Sequence, residues 1–338
     1  MKDQIDLERA LAVDTPTLDT EGALARFRSR VEEEGIAPAT IPPRRRLSSR
    51  WVQALAAAAA IVIVASGLAL SGAADSILKI FEPKSVVALP VTQGDLNTLG
   101  QACAGLRLEQ CLGAYGTFTW DTPPQPMEVP TLAAASSAAG FTVKTPSSLP
   151  AGVTGRPRYG VINKSSATFT FSADTTRQTA ARQNRTIPPL PANIDGSKLF
   201  ITGGPAVVQL WGATANANPS DVSGIPTLVV GQAKSPVVSS DGVTVQQLQT
   251  YLLAQPGISP QLAAAIRAIS DPASTLPIPV PAELAVSHQV TVHGVSGLFI
   301  GDNSGIASAI LWQKEGMMFE VIGSLTEQQA LDVANSMN

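Results

Sequence analysis

From Trp51 to Ala74 the chain runs for 24 residues without a charge. About 20 apolar residues in helical form cross the hydrocarbon core of a bilayer, so this run limits the fold more than any other feature. It contains Ile61-Val62-Ile63-Val64 and Leu68-Ala69-Leu70, and Trp51 stands where an interfacial aromatic belongs. Two other readings compete. A buried helix of a globular core seldom reaches this length without one charge. A cleaved signal peptide totals roughly 15–30 residues, whereas 50 residues precede this run. The sequence therefore predicts a retained transmembrane helix over 51–74. Arg44, Arg45, Arg46 and Arg50 lie just before it, and Asp75, Lys79, Glu82 and Lys84 follow with no positive excess. The positive-inside rule makes those arginines topology determinants. It predicts a single-pass plasma-membrane protein with the lipid bilayer as a partner, its N-terminus in the cytoplasm and its C-terminal domain outside.

That split leaves residues 1–40 inside, joined to the membrane by a basic linker, 41–50. A helical pattern runs from Thr20 to Glu34, and Gly35 ends it. Leu24, Phe27 and Val31 share one face at i, i+3 and i+7. So short a segment cannot bury a core of its own. The stripe must therefore remain marginal in a frayed tail, self-associate or dock on a partner, and docking on a cytoplasmic regulatory protein is the preferred reading.

Charged residues make up 14% of the chain, against about 25% in ordinary soluble domains. With 27 Gly and 26 Pro, this favours short strands and turns over a helical bundle. The net charge of −3 creates no global field for nucleic acid, and no direct nucleic-acid partner is expected. Cys103 and Cys111 match no CxxC spacing and form a candidate disulfide. Eight residues of continuous helix rise about 12 Å. A bridge allows about 7 Å between Cα atoms, so pairing requires a turn between the two cysteines.

Beyond the predicted span, residues 75–129 read as a connecting region. It holds a short helix near Asp95–Leu112, a strand at Gly116–Trp120 and a boundary at Asp121–Pro126. An α+β domain is expected over 130–338. Strands are predicted at Ala167–Ser172, Leu199–Trp211, Leu228–Val230 and Val237–Val238. Val290 and Val292 alternate with Thr291 and His293 as in a half-buried strand. Ile310/Trp312 and Met317/Phe319/Val321 flank Gln313-Lys314-Glu315-Gly316, a hairpin signal. Ser324 with Glu327 reads as the capping box of a last helix. An insertion of about 243–282 reads as a helical hairpin, Val243–Ala254 and Pro260–Ile269. The run Leu276-Pro277-Ile278-Pro279-Val280-Pro281 follows, fit only for a sheet edge or a groove. The fold class expected is thus α+β: one N-terminal transmembrane helix, then an extracytoplasmic antiparallel sheet domain with packed helices and a helical-hairpin insertion.

Two stretches carry a resemblance. Pro130 to Gly140 form a small Ala-rich helix, followed by an expected alternating strand from Phe141 and a Pro-x-x-Leu-Pro-x-Gly turn: Phe141-Thr142-Val143-Lys144-Thr145-Pro146-Ser147-Ser148-Leu149-Pro150-Ala151-Gly152. Near the end come Val290–Gly297, Leu311–Gly323 and Leu325–Met337. Together they resemble a bacterial extracytoplasmic domain family of unknown function, often borne on single-span proteins related to anti-sigma factors. The resemblance implies a regulator whose outer domain senses an envelope condition and whose inner segment meets a sigma factor. The His-x-x-x-Cys-x-x-Cys zinc motif of many anti-sigma domains is absent from residues 1–50.

Little else points to chemistry. His288 and His293, five apart, point to opposite faces of one strand and make a poor metal pair. Gly301-Asp302-Asn303-Ser304-Gly305 is similar to a serine-protease loop but has an extra Asn and no triad partners, so it reads as a turn. No GxSxG elbow, P-loop or dinucleotide fingerprint occurs. No enzyme activity, cofactor or metal is expected. The leading reading is a membrane-anchored sensor or binding protein with an unidentified outer ligand or protein. The alternative is a membrane-tethered lipid- or peptide-binding carrier without a signalling role, which requires an apolar cavity beneath residues 243–282.

Overall fold

A computed structural model describes residues 77–338 apart from 93, 96–111, 183, 185, 213–226 and 303–306. Short β-branched and aromatic runs, punctuated by Gly and Pro, form fifteen strands and five helices among the described residues. In chain order they are β1 (Leu78–Phe81), β2 (Ser85–Val91), β3 (Gly116–Thr122), β4 (Pro126–Val129), α1 (Leu132–Ala139), β5 (Arg158–Ile162), β6 (Ser165–Phe171) and α2 (Ala173–Arg182). There follow β7 (Lys198–Gly203), β8 (Ala206–Trp211), β9 (Leu228–Lys234), β10 (Val237–Ser240), α3 (Val245–Leu253), α4 (Pro260–Arg267) and β11 (Thr275–Pro281). The last are β12 (Ala285–Val292), β13 (Val295–Asp302), β14 (Ser308–Lys314), β15 (Met317–Gly323) and α5 (Glu327–Asn335).

An eight-stranded antiparallel sheet runs β12-β13-β14-β15-β9-β8-β5-β4, and a five-stranded one runs β1-β10-β7-β6-β3. Four strands of each are sequence neighbours in matching order: β9/β10, β8/β7, β5/β6 and β4/β3. The sheets are therefore one surface folded at a corner, as when strands switch sheets through bends. The corner residues are Pro123-Pro124-Gln125, Asn163-Lys164, Gly204-Pro205 and Ser235-Pro236. Proline has no N–H for a ladder, so three of these links stop the pairing by composition. The Gly204–Pro205 bond is cis. Asn163 stitches adjacent links: its Nδ2 donates to the Pro123 carbonyl at 3.3 Å, and its Oδ1 accepts from the Gln125 N–H. Lys234 N–H donates to the Pro205 carbonyl at 3.1 Å. The stretch Asp121–Pro126, read above as a boundary, is a corner of this surface. The single strand predicted over Leu199–Trp211 is two strands, divided by Gly204-Pro205.

One face of the eight-stranded sheet is covered by helices. Leu228, Val230, Ile310, Trp312, Phe319 and Val321 pack with Ala330, Val333 and Ala334 of α5, and Trp312 stacks on Phe319 at 5.2 Å. Ala135 and Ala139 of α1 pack with Val161 and Val207. The opposite face places Leu298, Leu311 and Met318 under Val86, Leu276, Ile278 and Val280 of a parallel β2–β11 pair. The five-stranded sheet buries Ala167, Phe169, Leu199, Ile201 and Val238 with Val243 and with Leu248 and Tyr251 of α3. The hairpin predicted in the insertion is present, and Gln249 Nε2 of α3 donates to the Ile266 carbonyl of α4 at 2.9 Å.

Two local expectations change. The alternating run Phe141–Thr145 joins no ladder. Two buried glutamines hold its backbone instead: Lys144 N–H donates to Gln232 Oε1 at 2.9 Å, and Gln209 Nε2 donates to the Lys144 carbonyl at 2.8 Å. The N-cap of α5 is Thr326, boxed with Gln329, rather than Ser324 with Glu327. Ser324 is held by its own N–H on the Thr227 carbonyl. The proline run lies at a sheet edge, as expected: it is β11, paired in parallel with β2 alone.

The fold class itself is corrected. Among the described residues the protein is mostly β, in two antiparallel sheets and a parallel pair, and its helices have eight to ten residues. No helix among them is long and apolar enough to cross a membrane. A span needs about 20 residues, whereas α1 stops at Gly140 and Pro256 and Pro272 follow closely after α3 and α4. The predicted helix over 51–74 lies outside the described residues. So do Leu24, Phe27, Val31, Arg44, Arg45, Arg46, Arg50, Cys103 and Cys111, and most of the helix predicted near Asp95–Leu112.

Candidate functional site: an open sheet edge

A sheet that does not close leaves strands with one unpaired row of N–H and C=O groups, and proteins usually blunt such edges. Here most are blunted by sequence. β1 has four residues and a bulge between Lys79 and Phe81. β3 bulges between Trp120 and Thr122 and runs into Pro123-Pro124, and β4 opens with Pro126. In β11 every second residue is proline: Pro277, Pro279 and Pro281. Alternate residues of a strand point their N–H groups to opposite sides, so all three missing donors fall on one side, away from the ladder with β2.

β12 has none of these devices. Its eight residues, Ala285-Val286-Ser287-His288-Gln289-Val290-Thr291-Val292, contain no proline, carboxylate, lysine or arginine. Its ladder with β13 runs without a bulge from Ala285↔Asp302 to Val292↔Val295. The connecting turn is two residues, His293 and Gly294, with φ of 48° and 76°. Positive φ at both positions is the type I′ turn, whose twist matches the strands it joins. In such a hairpin the closing pair, Val292 and Val295, bonds to each other. Stepping back by twos, Val290, His288 and Val286 bond to β13, while Ala285, Ser287, Gln289 and Thr291 point their backbone groups outward.

The strand is rigidly backed. His293 N–H donates to Asn335 Oδ1 at 2.9 Å, its ring Nε2 meets the Ala334 carbonyl at 3.0 Å, and Lys314 Nζ donates to its carbonyl at 3.2 Å. His288 Nε2 pairs with Glu327 Oε1 of α5 at 2.8 Å, and its ring lies 5.0 Å from that of Phe299. Gln289 Nε2 donates to the Val86 carbonyl at 3.2 Å. The other end is apolar and open: Leu284 is 59% and Val286 53% exposed, against nearly complete burial of the same residue types inside the sheet.

Of the residues singled out from sequence, the two histidines do not meet in one site. His288 lies on β12 and His293 in the turn after it, each bonded to α5. Among the described residues no group of three or more His, Cys, Asp or Glu is placed to hold a metal ion. Asp302 ends β13, and its Oδ1 accepts from the Ala307 N–H at 3.0 Å. Sequence reasoning found the Val290/Val292 alternation but missed the edge. Its signal is present: eight uncharged, proline-free residues ended by His-Gly, in a chain that puts prolines in or beside β3, β4 and β11. No family model matches this chain, and no curated protein is significantly similar to it.

Proposed function

We propose that this protein is a membrane-associated binding protein of the cell envelope. It is a regulator of the anti-sigma-related type acting through protein contacts rather than chemistry, and it takes an extended segment of its outer partner onto β12. The observation that carries the reading is that β12, among the described residues, is an eight-residue edge without proline, charge or bulge, whereas β1, β3, β4 and β11 each carry a bulge or a proline. Main-chain groups supply affinity in strand addition, and side chains of the edge supply selectivity. The absence of charge along β12 and the apolar Leu284 and Val286 fit an uncharged, β-branched partner segment. Membrane attachment rests on the uncharged run 51–74 and on Arg44, Arg45, Arg46 and Arg50. Contact with an inner regulator rests on the Leu24/Phe27/Val31 stripe. The carrier reading is weakened because the insertion packs on its neighbours. Leu262 and Ile266 meet Val91, and Leu276, Ile278 and Val280 meet Leu298, Leu311 and Met318.

A short capped peptide alternating threonine and valine is the probe. It is expected to bind the full chain saturably, the same peptide with lysine at alternate positions is expected not to, and Val286→Lys is expected to abolish binding. Equal binding of both peptides, or binding that survives Val286→Lys, rejects strand addition at β12. Concentration-dependent dimers without peptide would assign the edge to a second copy. For the inner segment, deletion of residues 1–40 is expected to change gene expression while the outer part still folds.

A further inference from the structure

The eight-stranded sheet holds one carboxyl group in its interior. Glu320, at the middle of β15, stands opposite Leu311 of β14 and Gly231 of β9. It shares the face that carries Met318 and Leu311 beneath β2 and β11. It is 1% exposed, and neither carboxyl oxygen has a hydrogen-bond partner. Its side chain lies over Gly231, where a Cβ would overlap the carboxyl group and Cγ. The positions around it on that face are Val229 and Ala233 of β9, Ala309 and Gln313 of β14, and Met318 and Ile322 of its own strand. β2 and β11 contain no titratable side chain. Gln313, the one polar group in this set, donates to Ser235.

With its carboxyl buried among apolar side chains and no hydrogen-bond partner among the described residues, the neutral acid is favoured over the carboxylate. We propose that Glu320 is a pH-sensitive latch: its neutral acid lies over Gly231 and closes the β9–β15 ladder, and loss of its proton to solvent opens that ladder. β15 leads through three residues into α5, so opening frees the helix that holds His288 and His293. The latch stands whether or not β12 binds a partner.

Burial pushes the Glu320 carboxyl well above its ordinary value of 4.5. The folded state therefore keeps a proton that the unfolded chain gives up. Stability is full below about pH 4.3, the value of an unfolded glutamate. It falls as pH rises toward the folded value, by about tenfold per unit in the folded-to-unfolded ratio. The test compares the full wild-type chain with Glu320→Gln between about pH 5 and 9. The wild type is expected to lose that ratio relative to the variant as pH rises. Its amide exchange, corrected for the intrinsic rate, is expected to accelerate at 228–234 and 317–323, with no such change in the variant. Identical pH profiles overturn the proposal. If Glu320→Gln fails to fold, carboxyl carbon NMR of the glutamate-labelled wild type decides. One glutamate that stays protonated well above the others supports the latch, and uniform titration overturns it.

Discussion

At position 231 the neighbouring strand tolerates nothing larger than hydrogen, because the Glu320 side chain occupies the space a methyl group would take. Gly231→Ala is expected to lower stability by about 1–3 kcal/mol in denaturant unfolding, the usual cost of overpacking. In a Glu320→Ala background the same change is expected to cost less, since the obstruction is gone. Asp95 shows the opposite electrostatics. Burial pushes its carboxyl up, but hydrogen bonds from Thr92 and Ser259 outweigh this and hold it below its ordinary value. Its contribution is present above the unfolded aspartate value, about 3.9, and is lost as pH falls through the folded one. Ser259 also caps α4. Ser259→Ala is expected to cost about 1 kcal/mol near neutral pH and less in acid, measured as the shift of the unfolding midpoint. Neither site was legible in the sequence. Met318-Phe319-Glu320-Val321-Ile322 lies in a strand packed on both faces, so no alternation marks where Glu320 points. Asp95 meets Ser259 only because the fold brings residues 164 apart together.

Among the elements, caps and edges separate what pattern predicts from what packing decides. Ser324-x-x-Glu327 and Thr326-x-x-Gln329 both match a capping box, and residue types alone do not rank them. The structure selects the second. Thr326→Ala is expected to cost about 1 kcal/mol, and Ser324→Ala much less, in thermal or denaturant unfolding. On β12, Val286→Lys is expected to change stability by no more than about 0.5 kcal/mol, because the side chain is half exposed and only the outer edge gains a charge. The hairpin at Glu315-Gly316 was legible because positive φ at two successive positions needs a residue such as glycine, whereas His293, read as a strand residue, opens the turn of its own hairpin with Gly294. The Phe141–Thr145 run was misread because its backbone pairs with glutamine side chains, which leave no periodic trace.

Across the whole molecule, the sequence announces strands and turns but not the corner. Pro123-Pro124 and Ser235-Pro236 read locally as breaks, while Gly204-Pro205 reads as the interior of one strand. Only their alignment across neighbouring strands turns three breaks into one fold line between two sheets. The parallel β2–β11 pair was equally hidden, since nothing local links Ser85–Val91 to Thr275–Pro281. The result is a bent sheet whose edges are closed by proline or bulge at β1, β3 and β4 and left open at β12, with the proline-bearing β11 in a separate parallel pair. The most direct test of that account is residue-resolved amide exchange of the full chain with and without the threonine–valine peptide. Protection is expected at the outward amides of Ser287, Gln289 and Thr291, while the already paired amides of Val286, His288 and Val290 change little. Protection confined to another strand, with β12 unchanged, would contradict it.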